Sequence, residues 1–125
     1  MRILLLDDNP DILMLLAMMI RRALGPEPCQ IISARDGLEG MALLEAEQPP
    51  DLIITNLRMP YMNGLDFIRQ VRDSDRWARI PIVIVSAEHS PKALQAASDS
   101  GASGFVPKPF DYQAIKTALS RFYTL

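Results

Sequence analysis

Five polar residues stand where apolar runs end. Asp7 and Asp8 follow "RILLL", Asn56 follows "DLIIT", Ser86 closes "IPIVIVS", and Lys108 sits between two prolines in "VPKPF". Carboxylates with waters and phosphate oxygens are what a hard cation such as Mg²⁺ takes as ligands. A hydroxyl and an ammonium can hold the remaining oxygens of a phosphoryl group. One of two adjacent acids after a strand can instead serve only as a helix cap. Lys108 is harder to read as an ordinary surface lysine, because Pro107 and Pro109 hold its backbone rigid. Asn56 is the odd member of the set, a neutral amide where the surrounding chemistry asks for a carboxylate.

These residues act together only if the fold brings the ends of their strands to one place. Apolar runs and helical patterns alternate along the chain. Strands are expected at 2–6, 29–33, 51–55 and 80–86, with a short fifth at "GFVP". Between them lie helices at about 10–24, 38–47, 65–73 and 91–100, and a last one runs from Asp111 to about Tyr123. Asn9 is placed to cap the first helix, with Pro10 at its first position where a missing N–H does no harm. The first, third and fourth strands are continuous apolar runs, the mark of strands covered on both faces in a parallel sheet. Right-handed crossovers then put every strand's C-terminal end at one edge, where sites form in such sheets.

The bulk properties fit one domain spanning 1–125. Of its 125 residues 49% are hydrophobic, enough for a real core, and the net charge is −2 with both signs interspersed. That balance gives no push toward nucleic acid or an anionic membrane. The longest apolar run, Ile12 to Ile20, is far short of the roughly 18–20 residues needed to cross a bilayer. The N-terminus has acids directly after its apolar stretch and lacks a small-residue cleavage site, unlike a signal peptide. Cys29 is the sole cysteine, read as a small buried strand residue, and a reducing, cytoplasmic location is expected.

In "ILLLDDNP", "SARDGLEGMALL", "PDLIITNLRMPYMNGLDFIR", "IPIVIVSA" and "GASGFVPKPFD" the chain resembles the CheY-like receiver domain of bacterial two-component response regulators. The blocks match in order and spacing over essentially the whole length. The resemblance implies an α/β three-layer, flavodoxin-like fold with a five-stranded parallel sheet of order 2-1-3-4-5. It implies a signalling module and not an enzyme. Its Mg²⁺ ligands would be Asp7, Asp8 (the more direct of the two), the residue at position 56 and the backbone carbonyl of Arg58. Ser86 and Lys108 would contact the phosphoryl group, and Ala87 would leave room for it. The Lys108–Pro109 bond would be cis, as only X–Pro bonds commonly are. Phe105 would be the aromatic switch that swings inward with Ser86; plain core packing is the simpler role for it.

At the phosphoacceptor position the family carries Asp, and this chain has Asn56. A carboxylate can attack a phosphoryl group, whereas an amide nitrogen has its lone pair delocalised. Phosphorylation should therefore be blocked and Mg²⁺ weakened. Since Asp7, Asp8, Ser86 and Lys108 are all kept, the preferred reading is an engineered Asp→Asn, inactive-state form of a phosphoaccepting receiver. The alternative is a natural degenerate receiver acting as a phosphorylation-independent interaction module. An Asp at 56 would add a third carboxylate to a crowded site and cost the metal-free fold about 1–2 kcal/mol.

Partners implied by the resemblance are a sensor histidine kinase or phosphotransfer protein and a downstream protein target. Nothing follows the last helix in the sequence, so output is expected through contacts on the surface from about Pro91 to Tyr123, Phe105 included. A second surface is expected on the first helix. With Ile12, Leu16 and Ala23 turned inward, Met14 and Met18 face away from the core as an adaptable apolar stripe for a partner or a homodimer. Trp77 is expected to cover the end of the third helix, and His89 to be a solvated loop residue. A haloacid dehalogenase-like phosphatase is a remote alternative, since it needs two acids with one residue between them and here they are adjacent; a flavodoxin would not place "DDNPD" against a phosphate.

Overall fold

The computed structural model describes Met1–Leu125 and contains five strands and five helices in strict alternation. They are β1 (Arg2–Leu6), α1 (Pro10–Leu24), β2 (Gln30–Ala34), α2 (Gly37–Ala46), β3 (Leu52–Thr55), α3 (Gly64–Asp73), β4 (Ile82–Ser86), α4 (Pro91–Ser100), β5 (Gly104–Pro107) and α5 (Tyr112–Leu119). All strand pairs are parallel and the order is β2-β1-β3-β4-β5, as expected.

The period-two geometry of the strands divides the core into two layers. Ile3 and Leu5 of β1 pack with Ile54, Val83, Val85 and the inner faces of α1 and α5. Leu4 and Leu6 point the other way, to Ile53, Ile84, Phe67, Ile68 and Val71 under α2, α3 and α4. With apolar residues needed on both faces, β1, β3 and β4 read as unbroken apolar runs. β2 is an edge strand and only Ala34 of it is buried, so its boundaries are less visible in sequence.

The helix starts are set by side-chain caps. Asn9, Asp36, Asn63, Ser90 and Asp111 each accept a backbone N–H from the first turn of the following helix. Several boundaries differ from the sequence expectation by one or two residues, and the end of α5 by four. β4 begins at Ile82, because Ile80 closes a turn by donating to the Trp77 carbonyl. α5 stops at Leu119 and the chain continues in tight turns, with Phe122 and Tyr123 both donating to the Leu119 carbonyl.

The inward face of α1 is Leu13, Leu16, Ile20 and Leu24. Ile12 and Ala23 only flank it, half-buried, which corrects the expected inward set of Ile12, Leu16 and Ala23. Three leucines and an isoleucine at helical spacing bury more apolar area than a face centred on Ala23. Met14 and Met18 stay on the solvent side in either arrangement, each 64% exposed. Cys29 lies just before β2 and is half-buried, not a buried strand residue. Burial still pushes its thiol up from its ordinary value. Trp77 is buried beneath the turn after α3, with Arg76 over its ring.

Candidate phosphoryl and cation site

The C-terminal ends of β1, β3, β4 and β5 converge at one edge. There Asn56, Arg58, Ser86, Ala87, Glu88 and Lys108 line a depression of about 400 Å³. Three of the sequence-selected polar residues, Asn56, Ser86 and Lys108, thus meet in one place. Asp7 is beside them, 2% exposed, with its Oδ2 accepting from Lys108 Nζ at 2.7 Å. Its Oδ1 accepts the Asn9 N–H at 2.9 Å. Asp8 is exposed. It lines an adjoining groove of about 720 Å³ with Leu57, Arg58 and Met59.

Local chain geometry explains these positions. Asp7 continues the ladder of β1 by donating its backbone N–H to the Ala34 carbonyl, and Asn56 does the same from β3 to Leu6. Thr55 is buried and its hydroxyl donates to the Asn56 carbonyl. The backbone N–H of Lys108 donates to the Ser86 carbonyl at 2.9 Å, which fixes the loop after β5 against the end of β4. The Lys108–Pro109 peptide is cis. Ser86 is fully enclosed, and its Oγ accepts the Glu88 N–H at 3.1 Å.

Asn56 is 9% exposed and uses both ends of its amide. Oδ1 accepts the Leu57 N–H at 2.9 Å, and Nδ2 donates to the Arg58 carbonyl at 3.0 Å. The orientation is dictated by the partners, one a pure donor and the other a pure acceptor.

Two residues of the site escaped the sequence reading. Arg58 was selected for its carbonyl alone, yet its Nε donates to Glu88 Oε2 at 2.8 Å across the mouth of the depression. That hydrogen bond holds the Glu88 carboxyl below, and the Arg58 guanidinium above, their ordinary values. Thirty residues separate the two, and no local pattern announces such a pair. Phe105 is half-buried on β5, packed toward the α2–α4 side, and borders shallow grooves on both sides of the strand. His89 is exposed in the loop after β4.

The donor set can be tested against a bound Mg²⁺. The oxygen types are right, and each buried one already accepts one hydrogen bond. Asp7 has an ammonium on one oxygen and an N–H on the other. The Arg58 carbonyl already accepts from an amide nitrogen, and that nitrogen cannot ligate a cation. Asp8 is exposed and carries no such bond. Two carboxylates and a carbonyl suit a hard cation, and position 56 adds a neutral amide to them.

The family described as the response regulator receiver domain matches residues 3–120. Chemotaxis protein CheY1 of Helicobacter pylori is 31% identical over 119 residues, covering 95% of this chain and 94% of that protein. The structure of chemotaxis response regulator CheY4 of Vibrio cholerae superposes with a TM-score of 0.86 at 28% identity, covering 98% of each chain. The receiver domain of sensor histidine kinase PA1611 from Pseudomonas aeruginosa, solved with a magnesium ion in its active site cleft, shares the fold. Its TM-score is 0.84 at 23% identity, covering 97% of this chain and 95% of that one. With the sheet order, the polar edge and these likenesses in agreement, the chain belongs to the response regulator receiver domains, the CheY-like modules of two-component signalling.

Proposed function

We propose that this receiver, as its sequence stands, does not accept a phosphoryl group and signals through protein contacts alone. The observation that carries the reading is the Asn56 amide at the acceptor position, its nitrogen bound to the Arg58 carbonyl at 3.0 Å. The lone pair of an amide nitrogen is delocalised, so it offers no nucleophile to phosphorus. Ser86 and Lys108 stand beside it in the same depression. An otherwise assembled site supports an Asp→Asn form of a phosphoaccepting receiver over a long-degenerate one. Mg²⁺ is held weakly, because the amide at position 56 gives one anionic ligand fewer than a carboxylate; Asp8 is its first ligand, with Asp7 and the Arg58 carbonyl beside it.

The partners fit a single domain over 1–125: a sensor histidine kinase or phosphotransfer protein on one side and a protein target on the other. The face bearing Phe105, with α4 and α5 on either side of β5, is one contact surface. The exposed Met14 and Met18 on α1 are a second, for a partner or a second copy. No helix is long and apolar enough to cross a membrane.

Intact mass after incubation with a small acyl phosphate and Mg²⁺ tests the central step. The chain as it stands should stay unmodified, and Asn56→Asp should gain one phosphoryl group. Phosphoryl gain by the unchanged chain at any residue, or none by Asn56→Asp while it is folded, would overturn the reading.

A further inference from the structure

We infer that Asn56 is a resident strut that orders the turn after β3 without any cation, doing internally what a divalent ion would otherwise do between position 56 and the Arg58 carbonyl. The inference rests on Asn56 occupying the acceptor position but not on the chain's failure to take phosphate.

The geometry around residue 56 carries it. The amide closes two short loops at once, accepting from Leu57 and donating to Arg58. The turn is then carried on by Met62 N–H to the Pro60 carbonyl at 2.7 Å and Gly64 N–H to the Leu57 carbonyl at 2.8 Å. Gly37 N–H donates to the Met62 carbonyl at 2.9 Å, so the same turn is tied to the start of α2. Every one of these bonds is protein to protein.

A carboxylate in place of the amide changes the sign of one contact. The Leu57 N–H keeps its acceptor. The second oxygen, however, faces the Arg58 carbonyl oxygen at the distance where the amide now donates, with no proton between them. Two acceptors so placed repel, and the site gains a negative charge beside Asp7 and Asp8. Something positive must enter for the turn to keep its shape, and a hard divalent cation matches a cluster of carboxylate and carbonyl oxygens. The need for the ion is therefore created by the carboxylate. Lys108 does not meet that need as it stands, because its ammonium is committed to Asp7.

The two forms should differ in how they respond to metal. Thermal melts and amide hydrogen exchange are compared with millimolar Mg²⁺ and with EDTA. The chain as it stands should melt at the same temperature in both, with the hydrogen-bonded Leu57, Met62 and Gly64 amides equally protected. Asn56→Asp should melt lower in EDTA, exchange faster across the turn, and recover both on adding Mg²⁺. Asn56→Ala, which has neither the amide nor the charge, should exchange faster at the turn and ignore Mg²⁺. A Mg²⁺-induced rise in the melting temperature of the unchanged chain as large as that of Asn56→Asp would overturn the inference. So would an Asn56→Ala variant whose turn is protected like the parent's. Neither result bears on phosphoryl gain, which the mass measurement reads separately.

Discussion

Gly64→Ala should cost about 3 kcal/mol or more in urea unfolding. A Cβ on Gly64 would stand 2.1 Å from the Asn56 carbonyl oxygen and 3.0 Å from Leu57 Cα. Both are backbone atoms at the end of a central strand and cannot swing aside as a flexible side chain could. The first turn of α3 would have to lift away, breaking the Gly64 N–H bond to Leu57 and loosening the turn that holds Asn56. Gly25→Ala is the comparison in which only the backbone is strained. Its φ is +63° and its ψ −131°, and nothing lies within 4 Å of the added carbon, so its cost is the backbone conformation alone, about 1–3 kcal/mol. A loss below about 1 kcal/mol for Gly64→Ala would show that close packing at Gly64 does not hold the site.

The second large effect is expected at the buried ion pair. Lys108→Met leaves Asp7, 2% exposed, with a single N–H partner and no positive charge. Removing one member of a fully buried pair typically costs about 3–5 kcal/mol. Lys108 borders the open depression and water can reach the vacated position, so the expectation here is lower, about 2–3 kcal/mol. The same substitution made in an Asp7→Asn background should cost at least about 1 kcal/mol less, because no uncompensated charge then remains. A double-mutant cycle by urea unfolding reads the difference. Additive losses would mean that the 2.7 Å contact contributes little.

Sequence and structure agree where one physical requirement acts alone. The strands β1, β3 and β4 must be apolar on both faces, and no other element of this size reads that way. Asn9 is legible as a cap, and Asp111 as the start of the last helix, because a cap needs an oxygen at one fixed place. The polar edge followed from those strands, since parallel connections leave it no other location. The face of α1 was misjudged because nine apolar residues in a row carry no phase. Which of them turn inward is decided by the sheet and by α5, where Arg22 lies over the Tyr112 ring at 4.0 Å.

Within the site, residue types were legible and their pairings were not. Lys108 was legible as a phosphoryl-contacting group, but its pairing with Asp7 was not. Two adjacent acids were legible, but not that Asp8 is exposed while Asp7 is buried with a partner on each oxygen. The Arg58–Glu88 bridge joins two loops that no sequence spacing relates. Each is a long-range choice among partners, settled by how the loops pack and not by what precedes or follows a residue.

Residue 56 is the point on which the site's behaviour turns, and Mg²⁺ affinity by isothermal titration calorimetry tests it most directly. Asn56→Asp should bind the ion at least about tenfold more tightly than the chain as it stands, a difference of about 1.4 kcal/mol. The extra carboxylate adds a ligand, and the Arg58 carbonyl is no longer capped by an amide. Equal affinities, or tighter binding by the unchanged chain, would contradict the role assigned to Asn56.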